Sequence, residues 1–526
     1  MTALPRGAQG LLRRISLRYD SSAQTSHPAP RIRRLRIGQA VVHAASITNS
    51  RESMEAEFDM INLSYSVKLE RAMKPSLQTA FKSWLGLTLL VAASLVVIYL
   101  RNDVTGLELF IQNWPLSNLA VTLASTAFVW LLAGVLLFLL ANGKIHKGNL
   151  WLTAGFFLVM FIYLGILRER FRYGDYHYYL DAATALVKGQ PLPDTYLYLP
   201  LWASLLKYLV PLGDQGFMII LWIINVLALA AFYFLLAAVL QRYGFSNHLA
   251  VVVAALFPLV NTPLMRTLGF IQVNLLTLDL ILLSLVVYPK REFLSALALA
   301  LAVHLKTSPA VLVLAFLLEF NWRWLFWFAV SFIGIGLLPV FTDGVSLYQQ
   351  FLSNAFLLTQ IPDTNFHDTS FDSFLRFLNP FFGIQIAQTR LMALAAKVLL
   401  LLASLAVMVQ TVRNQSFSKE RRLLNAIPPL FVLMTLASPI VWDHHGLFTA
   451  PAFLLMLKRI HAPSAWVWFG FAYFLEFILP SFDFFPWSYG RLAAPLIVLW
   501  LMWRTAKNEE SPLIASANQW LAKIAS

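Results

Sequence analysis

The sequence predicts an all-α, polytopic integral membrane protein, and three observations carry that reading. Of 526 residues, 59% are hydrophobic and 13% charged, where soluble domains are roughly 45–50% apolar and a quarter charged. Apolar runs long enough to cross a bilayer, which takes about 20 residues, recur along the chain, and mean hydropathy is +0.66. When those runs alternate in direction, the short basic loops all fall on one side, as cytoplasmic loops do. The net charge of +14 then marks a membrane face, and no nucleic-acid partner is expected. The absence of cysteine excludes disulfides, thiol catalysis and Cys-based zinc or iron–sulfur sites.

Taken in order, residues 1–80 read as a basic, mostly disordered cytoplasmic tail. Arg13, Arg14, Arg31, Arg33, Arg34 and Arg36 sit there among Ser, Pro and Ala, suited to anionic lipid. A start at Met54, Met60 or Met73 is the alternative, and the first apolar run comes too late and is too long for a cleavable secretion signal. Residues 81–149 add two spans, out over 81–100 and back over 117–140 to Lys144 and Lys147. The core is 150–505. Its first span, 150–167, delivers a Tyr-rich loop, 168–202, to the outer face. There Asp175 is placed to open an amphipathic helix, roughly 176–188, that Gly189 ends.

Residues 197–212 are short for a span and carry Lys207 midway, which predicts a helix lying along the outer surface. Runs at 217–240, 248–262 and 271–288 alternate inward, outward and inward. Over 293–320, Lys306 and Pro309 interrupt an apolar run flanked by Arg291 and Arg323. Two half-length helices in a re-entrant hairpin, with Lys306 near the tip, satisfy that pattern. A span at 324–341, a long outer loop over 342–388, and runs at 391–412, 423–441, 445–457, 465–479 and 491–503 complete about twelve spans. Residues 506–526 are a cytoplasmic tail.

Polar residues gather on the outer side of this topology. They are Asp175 with Tyr176, Tyr178 and Tyr179; Tyr196 and Tyr198; Arg266, Gln272 and Asn274; His304 and Lys306; His367 to Ser370 with Arg376; and Trp442 to His445. Ionisable groups at membrane depth are costly and mark function by default. Cations, imidazoles and a carboxylate at one depth suit an anionic substrate, with Asp175 as general base. Each has a duller reading. Asp175 serves as an N-cap, Lys306 snorkels, and Arg376 is a plain surface charge. Asp279, mid-span, is better read as structurally paired. His444 and His445 point about 100° apart on a helix, so one of them reaches a site. No His or Asp pattern supports a metal site, and no Gly-rich phosphate loop is present.

Gly174-Asp175-Tyr176-x-Tyr178-Tyr179 and Tyr196-x-Tyr198-x-Pro200 resemble the first outer loop of glycosyltransferase family 87, of the C-type (GT-C) superfamily. Gly269-x-x-Gln272-Val273-Asn274, His304-x-Lys306-x-x-Pro309 and Ser438-Pro439-x-x-Trp442-x-His444-His445 are similar to its later motifs, in order. The resemblance covers roughly 150–457 and implies a GT-C-like helical bundle in the plasma (inner) membrane; the basic loops orient it with an extracytoplasmic site and both termini cytoplasmic. It implies a polyprenyl-phosphate sugar donor, with mannose first among sugars, a lipid or glycan acceptor, and no cofactor.

One carboxylate is enough to deprotonate an acceptor hydroxyl when phosphate is the leaving group, in contrast to the carboxyl pair of glycosidases; inversion at the anomeric carbon follows. Lys306, with Arg266 or His444 and His445, would hold the departing phosphate. His304, Tyr178, Tyr179, Tyr198, Gln272, Asn274 and Arg376 complete the expected substrate contacts. A flippase of lipid-linked sugars and a glycan ligase or polymerase are the alternatives.

Overall fold

The computed structural model describes residues 149–167, 174–360, 368–382, 386–413, 418–479 and 489–506, with short pieces near 81–89 and 511–518. The chain divides into two units, Met1–Leu69 and Glu70–Ser526, and every described residue lies in the second. The expected basic tail, most of the two added N-terminal spans, residues 168–173, His367 and most of the 506–526 tail lie outside the described residues.

All elements described are helical. After α1 (Asn149–Leu167) come α2 (Tyr176–Val187) and α3 (Pro200–Leu206), and a 3₁₀ turn at Lys207–Leu212 leads into α4 (Gly213–Arg242). Then follow α5 (Asn247–Leu259), α6 (Thr262–Gly269), α7 (Asn274–Val287) and α8 (Glu292–Leu305). Beyond Lys306, a 3₁₀ turn at Ser308–Leu312 opens into α9 (Val313–Leu318), α10 (Trp322–Asp343) and α11 (Ser346–Gln360). The remainder is α12 (Phe371–Phe382), α13 (Ile386–Val412), α14 (Lys419–Ala426), α15 (Pro428–Leu436), a 3₁₀ turn at Asp443–Thr449, α16 (Ala450–Met456), α17 (Pro463–Tyr473), a π turn at Phe474–Ile478, and α18 (Gly490–Thr505).

Among the described residues, three runs are long and apolar enough to cross a membrane: Pro200–Arg242, Trp322–Asp343 and Thr389–Val412. The pair α5 and α6 makes a fourth if its 62° bend lies within one broken span. The described residues are thus those of an all-α membrane protein. Several expected spans are interrupted, for local reasons. Pro258 and the N-capping Asn261, whose side chain accepts from Leu264 N–H, divide 248–262. Pro428 restarts the helix inside 423–441. The expected break at Lys306 is present: α8 ends at Leu305 and Lys306 is extended, at φ −155° and ψ 131°.

Lipid supplies little hydrophobic drive between helices, so tight contact depends on small side chains and interhelical hydrogen bonds. Helix α8 has both. Ala296, Ala300 and Ala302 are fully buried, and Ser295 Oγ lies 3.0 Å from Ser284 Oγ of α7 and accepts from Trp324 Nε1 of α10 at 2.9 Å. Asp279 departs from expectation. It is buried on α7, and neither carboxyl oxygen has a hydrogen-bond partner among the described residues. The structural pairing expected for it is absent there. A buried polar group left unmatched costs about 1–3 kcal/mol, so Asp279→Leu is expected to stabilise the protein by about that amount. A thermal melt in detergent checks this, and a lower Tm would overturn it.

Candidate active site

The site is built around the four residues, 270–273, that join α6 to α7. Ile271 sits there at φ +56°, a left-handed conformation that costs a β-branched residue of order 1–3 kcal/mol. The strain is held by Ile271 N–H donating to Leu268 O (3.3 Å) and Gln272 N–H to Thr267 O (3.0 Å). Phe270 O accepts from Asp175 N–H at 2.9 Å, which anchors the start of α2 to the same turn.

Asp175 is the N-cap of α2 by position, but its side chain makes no capping bond. Its Oδ2 instead accepts from Gln272 Nε2. Gln272 Oε1 accepts from the phenols of Tyr179 at 3.1 Å and Tyr198 at 3.4 Å, and the two phenol oxygens lie 3.2 Å apart. Two residues on, Asn274 Oδ1 accepts from Lys306 Nζ at 2.8 Å. The turn therefore carries the acid's partner and the cation's partner side by side. Burial pushes the Asp175 carboxyl up to about 7; the Lys306 ammonium opposes the shift and Asp443 adds to it. Tyr178, next along α2, is 47% exposed. Burial and Asp175 push its phenol up.

A second charged group backs the first. Asp443 Oδ2 lies 3.0 Å from Arg266 Nη1 and 3.9 Å from Arg491 Nη1. Lys306 Nζ stands 5.3 Å from the Phe448 ring centroid, a cation–π distance. His444 is buried, its Nδ1 3.8 Å from Asp443 Oδ1. Burial lowers its imidazole to about 3; Asp443 opposes this, while Lys306, Arg266 and Arg491 reinforce it. His444 is therefore a neutral hydrogen-bonding group, and the expectation that it supplies positive charge is corrected. His445 Nδ1 accepts from Trp442 N–H at 3.2 Å, so this imidazole caps its own 3₁₀ turn. The divergence expected of the adjacent pair is not seen: the two rings meet edge to face with centroids 4.6 Å apart, and His444 also lies beside Asp443.

His304 differs more. It is 1% exposed, stacks on Phe332 with centroids 4.6 Å apart and pairs through Nε2 with Phe332 O at 2.9 Å. A Cβ at Gly336 would come within 3.2 Å of its ring. The imidazole ties α8 to α10 through Nε2, while its Nδ1 has no hydrogen-bond partner among the described residues. His304 still follows the helical period, whereas Lys306, past the last turn, is extended and reaches Asn274. Arg376 is half-buried on α12.

Sequence reasoning passed over Arg491 and Glu476, and gave Asp443 no role of its own. Arg491 also donates from Nε to Glu476 O at 3.0 Å. Glu476, 1% exposed in the π turn, accepts from Thr449 Oγ1 at 2.8 Å. The available signal was an ionisable residue inside, or at the mouth of, an apolar run.

Helices of this length and hydropathy, with charged side chains drawn together around one turn, define an integral membrane protein with an internal polar site. Residues 196–439 match the model of Glycosyltransferase family 87, a GT-C type membrane glycosyltransferase family. That match indicates a membrane glycosyltransferase. The matched stretch contains Tyr198, Arg266, Gln272, Asn274 and Lys306, while Asp175 and His444 flank it. A comparison with curated proteins gave no match.

Proposed function

We propose that this enzyme transfers a sugar, mannose first among candidates, from a polyprenyl-phosphate donor to a lipid or glycan acceptor. The reaction takes place at the extracytoplasmic face of a plasma-membrane bundle of about twelve spans, with both termini cytoplasmic. Asp175 removes the acceptor hydroxyl's proton as its oxygen attacks the anomeric carbon from the face opposite the phosphate. The anomeric C–O bond to phosphate breaks, and the electron pair leaves with the phosphate. Lys306 stabilises that growing charge, with His444 and the Arg266–Asp443–Arg491 group behind it. A single base and no covalent intermediate give inversion.

The observation that supports this reading most is the shared turn, on which Gln272 meets the carboxylate and, two residues on, Asn274 meets the ammonium. A carboxylate held by an amide, beside a cation with no carboxylate bonded to it, suits displacement of a phosphate, whose good leaving-group character removes the need for a second acid. The test is purified protein incubated with polyprenyl-phosphate-mannose and extracted membrane lipid, with product anomeric configuration read by NMR. An inverted glycoside supports the proposal, and retained configuration overturns the single-base mechanism.

The pH dependence follows with a definite sign. The base must be ionised, and Asp175 is raised to about 7, so kcat/KM is expected to rise with pH through about 7. Below that point it falls about tenfold per unit. An acid limb near the ordinary carboxylate range, about 4, would show that the base lies elsewhere.

A further inference from the structure

We propose that Gln272 is a positioning residue for the base, with Tyr179 and Tyr198 fixing its amide so that the N–H is aimed at Asp175. The inference rests on Asp175 being the base, and it moves Gln272 from the expected substrate contacts to a role inside the protein.

The hydrogen-bond directions carry the argument. Gln272 is 2% exposed, so its amide has to be satisfied by protein groups. Tyr179's oxygen accepts from Val273 N–H at 3.4 Å, and its one hydrogen is shared between Gln272 Oε1, 3.1 Å away, and the Tyr198 oxygen, 3.2 Å away. Tyr198 donates to the same Gln272 oxygen at 3.4 Å. The opposite end faces Asp175 Oδ2, and an ionised carboxylate only accepts. A reversed amide would set its oxygen against the carboxylate, two acceptors with no hydrogen between them. Only the orientation with N–H toward Asp175 gives the ionised carboxylate a donor.

The consequence for chemistry is twofold. Oδ2 is engaged by the amide, which leaves Oδ1 to take the acceptor's proton. A donor on the ionised form also favours that form, offsetting part of the burial that drives the carboxyl up. The strained Ile271 directly before Gln272 fits a turn held in place to present this amide.

The measurement is pH-difference infrared spectroscopy of the full chain in detergent. The Asp175 carboxyl band is assigned as the one missing from Asp175→Asn, so no donor or acceptor is needed. The charged and titratable groups facing Asp175 are Lys306, Asp443, Tyr178, Tyr179 and Tyr198, and Gln272→Met keeps them all. A hydrogen bond to a charged group contributes about 1.5–3 kcal/mol, so the midpoint is expected to rise by about one to two pH units. Tyr198→Phe removes one of the two phenols holding the amide. It should move the midpoint in the same direction by less, and it carries the test if Gln272→Met does not fold.

Midpoints within about 0.3 unit of wild type in both variants, or a downward shift in either, overturn the proposal. If Asp175→Asn retains sugar transfer, the reading of Asp175 as base fails. If that variant is inactive and the midpoint stays put in Gln272→Met and Tyr198→Phe, only the positioning role fails.

Discussion

Asp175→Asn is expected to lower kcat by at least about 10²–10³-fold at every pH, while the folded protein melts within a degree or two of wild type. The two parts of this outcome come from different features of the site. An asparagine cannot accept the acceptor's proton, so the base is lost outright and no rise in pH restores it. Its Oδ1 can still receive Gln272 Nε2, so the network of Tyr179, Tyr198 and Gln272 keeps its partner.

The start of α2 should survive as well. The link from Asp175 N–H to Phe270 O uses backbone alone, and the side chain makes no capping bond to be lost. Had the residue been only an N-cap, Asn would have replaced it almost without cost, since the two rank together at that position. Steady-state kinetics alongside a melt separates the cases. Full activity in Asp175→Asn would leave the carboxylate without a chemical role.

The parts of the structure legible in the sequence are those with local signals. Asp175 and Gly189 bracket α2 because an N-cap residue and a glycine able to hold φ +65° sit at its ends. The interruption at Lys306 was legible because a charge and a proline fall within four residues inside an apolar run. The interior of the site was legible as a set of residue types and not as an arrangement. Gln272 meets Asp175 across 97 positions, and Asp443 meets Arg491 across 48.

Periodicity within a segment carries no information about such pairs. The positive φ at Ile271 had no signal either, since a β-branched residue is among the least expected there. His304 shows how little closeness in sequence says about shared partners. Two residues from Lys306 it looked like part of the same site, yet the end of α8 between them sends one side chain to Phe332 and the other to Asn274.

Lys306→Met carries the other large expected effect. Removing one preorganised group aimed at developing charge typically costs about 10²–10³ in kcat, and the loss here should be at least of that order. The position has little to replace it. Arg266 and Arg491 both lie against Asp443, and His444 is neutral with its imidazole held at about 3. Lys306, by contrast, has a neutral amide and an aromatic ring beside it, so its charge remains to meet a phosphate.

Lys306→Arg is expected to rescue poorly. A planar guanidinium needs a different arrangement of acceptors from the single Asn274 carbonyl that holds a compact ammonium. A second consequence distinguishes this variant from simple misfolding. Lys306 draws the Asp175 carboxyl downward, so in Lys306→Met the acid limb of kcat/KM should move above its wild-type position near 7. A loss of rate together with that upward movement places ammonium and carboxylate in one electrostatic unit. A variant that keeps kcat within about threefold, far short of the loss of one such group, would transfer the phosphate to the arginine pair around Asp443.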